Sequence, residues 1–171
     1  MPGVLVTAFT NAEDATVTGL DLDILWVPVE GLTIGGSLGL LDTELGAIGA
    51  VPAGGKLPNA ADTQATGLLR YEFPVGNMRM GLQGNFKYTD DMFRDAFNDP
   101  FNHSDSYTTV DARAWIASES GSWELALWGK NLSDEQYTEQ AFNFVDLTGL
   151  ANQLYGSPLT YGLTYTYFAG E

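Results

Sequence analysis

The chain has 171 residues, of which 44% are hydrophobic, and this is enough for one ordinary domain. Its 22 acidic and 7 basic residues give a net charge of −15, which disfavours nucleic-acid binding because phosphate contacts need clustered lysine and arginine. Cysteine is absent, so disulfides, thiolate metal sites and a cysteine nucleophile are excluded.

The first segment, "MPGVLVTAFT", has no basic residue before a short and broken apolar run, so we expect no signal peptide in it. Residues 147–170 carry no charge, but they contain Pro158 and many glycine, threonine and asparagine residues, which is not the composition of a transmembrane helix. Helical periodicity is absent elsewhere too.

Apolar and polar residues instead alternate along most of the chain, and a period of two predicts strands with one apolar face. In "MRMGLQGNFKYTD" (78–90), for example, Leu82 and Phe86 share one face, whereas Gln83 and Lys87 share the other. We predict roughly eight strands. In chain order they are 3–10, 16–26, 32–40, 63–73, 78–90, 110–116, 123–130 and 161–167.

The connections between these strands alternate strictly in length. The short ones are 28–31, 74–77 and 118–122, and the long ones are 46–60, 91–105 and 132–157. In an antiparallel meander this puts every tight turn at one end of the sheet and every long loop at the other. Bacterial outer-membrane barrels have this asymmetry, with short periplasmic turns and long extracellular loops.

The sequence therefore predicts an all-β fold, an antiparallel transmembrane β-meander whose apolar face contacts lipid and whose polar face is wet. Aromatic residues near the strand ends, such as Trp26 and Tyr167, fit the aromatic girdles of such barrels. A soluble β-sandwich is the alternative, and it would bury the apolar faces under a second sheet.

The polar face carries charged and amide side chains of both signs, which we predict to line the lumen of the barrel. They are Asp21, Asp23, Arg70, Glu72, Arg79, Gln83, Lys87, Asp111, Arg113, Glu124 and Lys130. Charges removed from water are costly unless they are paired, so this wall must either neutralise itself or contact another part of the protein.

No set of residues has the pattern of a catalytic site or a cofactor site. The only histidine, His103, is followed directly by Ser104 and Asp105, and consecutive residues rarely reach the geometry of a catalytic triad. We therefore expect no enzyme activity, no cofactor and no metal. Calcium binding by the acids of the second long connection stays an open alternative, although the spacing is not that of an EF-hand. These acids are Asp90, Asp91, Asp95, Asp99 and Asp105.

Two stretches near the end, "WELALWGKNLSDEQY" (123–137) and "GSPLTYGLTYTYF" (156–168), resemble the C-terminal end of TonB-dependent receptors. Earlier stretches, "TNAEDATVTGLDLDILWVPVEGLTIGGSLGLLDTEL" and "GKLPNAADTQA", resemble the same family in the same order. The residues that match the C-terminal family motif are Asn131, Leu132, Asp134, Tyr137, Pro158, Tyr161 and Gly162.

The resemblance implies a barrel of about 22 strands that holds an N-terminal plug. It also implies import of iron-siderophores, cobalamin, haem or saccharides, with energy from the inner-membrane protein TonB. Residues 1–171 resemble the C-terminal part of that barrel, without the plug. The expected partners are outer-membrane lipid, the rest of the barrel and plug, TonB through the missing N-terminal part, and an unknown small ligand.

Two other hypotheses remain beside this outer-membrane receptor segment. A self-contained eight-stranded outer-membrane barrel, structural or adhesive, would pair residues 4–9 with residues 161–167, because about eight strands is the smallest natural closure. A soluble β-rich binding module would need no membrane at all.

Overall fold

The structure, a computed structural model, describes residues 14–49, 51–145 and 149–169. The opening strand predicted at 3–10 lies outside these residues. In chain order the strands are β1 (Ala15–Val29), β2 (Leu32–Leu45), β3 (Thr63–Val75), β4 (Met78–Thr89), β5 (Met92–Phe93), β6 (His103–Ser104), β7 (Tyr107–Ser118), β8 (Trp123–Lys130), β9 (Thr138–Phe144), β10 (Leu150–Tyr155) and β11 (Thr160–Tyr167). A single 3₁₀ turn covers Pro100–Asn102.

The long strands form a seven-stranded sheet with the order β1-β2-β3-β4-β7-β8-β11. Each neighbouring pair is antiparallel, so the sheet is a meander that follows the chain. The predicted all-β antiparallel fold is confirmed. Several strands are longer than the alternation alone predicted, and β2 continues to Leu45 rather than ending near residue 40.

The tight turns lie at one end of the sheet and the long loops at the other, as predicted. The β1–β2 turn needs a glycine, because Gly31 has a positive φ of 79° and a side chain there would overlap the carbonyl of Glu72. At the opposite end are the first long loop (46–62), the second (90–106) and the third (131–159).

Two small hairpins inside the long loops were not predicted. In the second long loop β5 pairs with β6, and in the third β9 pairs with β10. Residues 132–157 contain glycine, asparagine and acidic residues that favour loops, and the alternation of Phe142 and Phe144 is too short to outweigh them. Nearly half of the third long loop is therefore a pair of strands, which lies beyond the end of the main sheet.

The strand register separates the sheet into one polar and one apolar face, because directly paired residues point to the same side. One row of the polar face joins Asp23, Ser37, Thr66, Lys87 and Thr109. One row of the apolar face joins Leu32, Tyr71, Leu82, Ala114, Leu127 and Leu163. Each face is thus continuous across neighbouring strands.

The apolar face is uncovered. Leu20, Leu82 and Tyr165 are 62%, 52% and 63% exposed, and no second sheet lies over this face in the described residues. This arrangement argues against a β-sandwich, whose inner faces would be buried. The described segments also contain no helix with the length and hydrophobicity for a bilayer crossing.

The buried apolar residues are few and lie in two places. One group lies around the long loops, and the other lies on the polar face near the middle of β7 and β8. They are Leu45, Val51, Ala61, Met92, Ala141, and Trp115, Ala117, Ala126. Most of the large apolar side chains of the described residues are therefore exposed.

Candidate functional site

The candidate functional surface comprises the polar face of the sheet and the three long loops above it. The register places every residue of the predicted lumen-facing set on this one face, from Asp21 in β1 to Lys130 in β8. That this face lines a lumen stays a prediction.

Trp115 is a buried aromatic side chain on the polar face, with 6% exposure. Its ring lies on Gly81 of the paired strand, where any Cβ would overlap the indole. The guanidinium carbons of Arg70 and Arg113 lie 4.9 and 5.0 Å from the ring centroid. Cation–π contacts of this kind contribute about 0.5–2 kcal/mol each, so Trp115 organises the charged residues around it.

Both of these arginines are also paired with an acid of the same wall. The Nε of Arg70 donates to Glu72 at 2.6 Å, and Arg113 donates to Glu124 across the β7–β8 pair. The four side chains are between 26% and 42% exposed, so each pair is partly desolvated. This part of the wall neutralises itself without another domain.

The other members of the predicted lumen-facing set form no ion pair in the described part of the chain. The carboxylate of Asp111 accepts a hydrogen bond from the backbone N–H of Asn131 at 2.9 Å, and the amide of Gln83 donates to Asn85 at 3.3 Å. No ion pair within the described part of the chain involves the remaining members. They are Asp21, Asp23, Arg79, Lys87 and Lys130.

Asn131 joins the beginning of the third long loop to its end. It is 5% exposed and has a left-handed backbone, with φ of 47°. Its side-chain amide donates to the carbonyls of Glu135 and Ser157 at 2.9 and 3.0 Å, and its carbonyl accepts from the N–H of Glu135 at 3.0 Å. The same carbonyl also accepts from the hydroxyl of Ser133 at 3.3 Å, so the position needs an amide side chain, which can both donate twice and accept.

Asp134 makes a second link between the same two segments. Its carboxylate accepts a hydrogen bond from the N–H of Leu159 at 3.1 Å. Pro158 lies between Ser157, which is held by Asn131, and Leu159. The two halves of the C-terminal motif, which are separated in sequence by β9 and β10, therefore meet in space.

Tyr137 packs the start of the third long loop against the first residue of β7. Its ring stacks on Tyr107 with centroids 4.2 Å apart, and it lies over Gly156, whose N–H donates to the carbonyl of Tyr137 at 2.8 Å. Burial raises the pKa of the Tyr137 hydroxyl, with a smaller contribution from the nearby Glu139 carboxylate. Its apolar surroundings therefore favour the neutral phenol.

The last motif residues are Tyr161 and Gly162 on β11 and Leu132 just after β8. Trp128 lies over Gly162 on the polar face and donates from its indole N–H to Thr164 at 3.0 Å. Leu132 covers Gly129, and its N–H donates to the carbonyl of Val110. Tyr161 points to the apolar side and is 79% exposed.

A comparison with models of known protein families finds a β-barrel family, in agreement with the antiparallel sheet. The family model described as TonB dependent receptor-like, beta-barrel matches residues 2–132. The chain belongs to this family. The family consists of TonB-dependent transporters and receptors, and it is not a family of enzymes. Asp134, Tyr137, Pro158, Tyr161 and Gly162 lie beyond the matched residues.

Solved structures of receptors extend the similarity over most of the chain. The ferric yersiniabactin uptake receptor FyuA from Yersinia pestis matches with a TM-score of 0.80 and 15% identity over 91% of this chain. BauA, the ferric preacinetobactin receptor from Acinetobacter baumannii, matches with a TM-score of 0.69 and 19% identity over 88%. The siderophore receptor PiuA from the same organism matches with a TM-score of 0.69 and 20% identity over 88%.

At these identities the three structures establish the fold alone. The chain spans only 24%, 22% and 21% of their respective lengths, so it corresponds to less than a quarter of each receptor. No curated protein matches the chain.

The described contacts around His103 do not form a catalytic triad. Its Nε2 lies 3.0 Å from Asp91 and its Nδ1 lies 3.5 Å from Asp105. The hydroxyl of Ser104 instead donates to the carbonyl of Thr138 at 2.9 Å. The histidine thus contacts two acids and no nucleophile.

The acids of the second long loop mainly support its backbone. Asp95 accepts from the N–H of Asp99 at 3.1 Å, and Asp99 accepts from the N–H of Phe101 and from the amide of Asn143. In the described residues no group of three or more histidine or acidic side chains has a geometry that could hold a metal ion.

Two residues of this surface were not singled out from the sequence. Trp115 was placed on the polar side but given no role, because a long loop separates its strand from that of Gly81 and hides the pairing of the two residues. Arg94, whose contacts are described below, is a lone cation in an acidic loop, and the local sequence contains no signal for its long-range partners.

Proposed function

We propose that this chain forms wall strands and extracellular loops of an outer-membrane receptor that imports siderophores with energy from TonB. One observation carries the proposal. The sheet has a continuous polar face and a continuous, uncovered apolar face, with all long loops at one end. A strand segment that crosses a bilayer needs this division, because lipid supplies no hydrogen bonds and the lumen is wet.

The uncovered apolar face is too wide for a water-soluble surface. Soluble monomers rarely expose apolar patches of more than a few hundred Å², and larger ones mark protein or membrane contacts. Leu20, Leu22 and Ile24 of one strand alone are each at least 60% exposed. Lipid contact therefore supports a location in the outer membrane and makes lipid a partner of the chain.

The ligand class comes from the similar structures. Two are described as receptors for ferric yersiniabactin and ferric preacinetobactin, and the third is described as a siderophore receptor. A ferric siderophore is therefore the ligand we propose, ahead of vitamins or saccharides. The rest of the barrel, a plug and TonB are the other proposed partners, and this chain would perform no covalent chemistry.

The position of the segment within the receptor is also a proposal. The C-terminal motif around Asn131 and Pro158 supports assignment of residues 1–171 to the C-terminal part of the barrel. The alternative of a complete eight-stranded barrel requires β11 to pair with residues 4–9, which lie outside the described residues. Similarity of 91% of the chain to 24% of a larger receptor favours the segment.

Spin labelling at single cysteines tests the proposed membrane orientation, because the natural chain contains no cysteine. The protein is labelled at Leu82→Cys, Gln83→Cys, Phe86→Cys and Lys87→Cys in outer-membrane vesicles. We expect oxygen, which concentrates in lipid, to relax the labels at 82 and 86, and a water-soluble nickel complex to relax those at 83 and 87. Labels at 82 and 86 that neither agent reaches would indicate a second protein layer and would refute the proposal.

Uptake is tested separately in iron-limited cells that lack their own siderophore receptors and express the complete natural protein. Import of radiolabelled ferric siderophore should appear in cells with TonB and be absent from an isogenic strain without it. Equal import in both strains would contradict active transport.

A further inference from the structure

Arg94 contacts all three long loops. From the second long loop, its Nη1 donates to the side-chain carbonyl of Asn59 in the first loop at 3.1 Å. Its Nη2 donates to the backbone carbonyl of Thr138 in the third loop at 2.6 Å. Its Nε donates to the hydroxyl of Ser104 within its own loop at 3.1 Å. Each edge of the guanidinium thus faces a different partner.

The guanidinium of Arg94 is partly buried among neutral hydrogen-bond acceptors. All three acceptors are neutral, and burial lowers the pKa of the guanidinium, with smaller opposing effects from Tyr107 and Glu139. A charged donor makes stronger hydrogen bonds than a neutral one, and the planar fork is rigid. Ser104 is 1% exposed and donates to the same Thr138 carbonyl, so the side of the junction that faces the third loop is buried, whereas the hydrogen bond to Asn59 is exposed.

The first and second loops are joined at two further points. The side chain of Asn98 accepts from the N–H of Lys56 at 2.8 Å and donates to the carbonyl of Lys56 at 3.0 Å. The N–H of Asn59 donates to the carbonyl of Phe93 at 2.8 Å. The first loop is therefore attached to the second through backbone groups as well as through Arg94.

The second and third loops are joined on the inner face of the β9–β10 hairpin. The amide of Asn143 donates to Asp99 at 2.7 Å, and the amide of Gln153 donates to the carbonyl of Phe101 at 3.2 Å. Ala141, on the same side of the hairpin, is buried. Every hydrogen bond between loops named here has one end in the second loop, so this loop lies at the centre of the assembly.

We propose that the three long loops form one coupled unit, and that Arg94 is the positioning residue that fixes the first loop relative to the third. Contact of a ligand with one loop then displaces the others as well, because their shared hydrogen bonds must move together. The ligand part of this statement rests on the proposed receptor function. The coupling itself does not, and it can be measured without ligand.

The test measures the distance between the first and third loops by pulsed electron paramagnetic resonance. Nitroxide labels at Ala53→Cys and Asn152→Cys, both exposed, are compared in the parent, in Arg94→Met and in Arg79→Met. Arg79 is the matched control because it lies near the tight turns. We expect one narrow distance distribution in the parent and in Arg79→Met, and a distribution about twofold wider in Arg94→Met.

Two further variants separate coupling from general stability. Asn59→Ala removes the acceptor in the first loop only, so it should widen the 53–152 distribution and leave a label pair at 97 and 152 unchanged. Asn59→Asp keeps an acceptor and adds a charge, so it should retain the narrow 53–152 distribution. Arg94→Lys keeps the charge but not the fork, so it should widen this distribution as Arg94→Met does.

A reference label pair at Glu30 and Glu119, in two tight turns, reports on the sheet. The proposal fails if Arg94→Met leaves the 53–152 distribution unchanged, or if the reference pair widens to the same extent. A failure of siderophore uptake would count against the proposed function and would leave these distances as they are, so the two failures can be told apart.

Discussion

Replacement of Asn131 by alanine should loosen the third long loop more than any other single change of an amide side chain in this chain. The substitution removes three short hydrogen bonds at a buried position, two donated and one accepted, all between 2.9 and 3.0 Å. It also removes a longer one of 3.3 Å that Asn131 accepts from the hydroxyl of Ser133. It also places alanine in a left-handed backbone conformation, with φ of 47°.

The magnitude follows from these contacts. Buried hydrogen bonds contribute about 1 kcal/mol each, which gives about 3 kcal/mol for the three. A left-handed alanine costs about 1 kcal/mol more than asparagine or glycine. The expected loss is therefore about 4 kcal/mol for Asn131→Ala and about 3 kcal/mol for Asn131→Gly, which keeps the backbone relaxed.

Urea unfolding of the protein in lipid vesicles, followed by tryptophan fluorescence, measures these losses. Asn152→Ala is the control, because Asn152 is exposed on β10 and should change the unfolding free energy by less than about 0.5 kcal/mol. Limited proteolysis should cut the third loop of Asn131→Ala before the sheet unfolds. If Asn131→Ala behaves like Asn152→Ala, the motif does not hold the two ends of the loop together.

Three further outcomes are expected. Gly81→Ala should displace the indole that lies on it and lower the unfolding free energy by about 1–3 kcal/mol, whereas Gly84→Ala, which faces open space, should not; urea unfolding measures both. Leu82→Arg on the apolar face should lower the yield of folded protein in the outer membrane, since arginine near the bilayer midplane costs about 2–4 kcal/mol. Gln83→Arg on the polar face should be tolerated. Heat-dependent gel mobility measures the folded fraction of both variants. The pKa of Tyr137 is raised in the folded protein, so the contribution of its neutral phenol to stability is complete below the ordinary tyrosine pKa of about 10. This contribution is lost as the pH rises through the higher pKa of the folded state. Tyr137→Phe should therefore reduce the loss of stability at alkaline pH, which fluorescence-detected unfolding measures.

The strands of the main sheet were predictable because their sequence responds to two different environments. In β4 the residues Leu82 and Phe86 alternate with Gln83 and Lys87, and the observed register keeps each pair on its own face. Residues of the apolar face and residues of the polar face have opposite requirements, so the alternation is strong over a dozen residues. The positions of the tight turns followed from glycine, proline and asparagine in the same way.

The arrangement of the long loops was not predictable by this method. A loop in water has no lipid side, so its sequence lacks the alternation that marks strands. Arg94 bonds to residues 35 and 44 positions away, and nothing local to Arg94 identifies Asn59 or Thr138 as its partners. The family motif was more informative, because it located Asn131 and Pro158, but it did not disclose that they meet.

The aromatic residues opposite glycines lie between these two cases. Phe86 lies over Gly67 on the apolar face, and this pair follows from counting outward from the two-residue turn between β3 and β4. Trp115 lies over Gly81, but a long loop separates their strands, so only the structure reveals the register.

The same geometry explains how a bulky indole is accommodated on the polar face of the sheet. A ring that crosses to a glycine of the next strand covers backbone hydrogen bonds and provides a flat surface for Arg70 and Arg113. These arginines then bind Glu72 and Glu124, so the wall around Trp115 is already neutral. Contacts with any internal domain should therefore concentrate on charges outside this cluster, such as Asp21, Asp23 and Lys87.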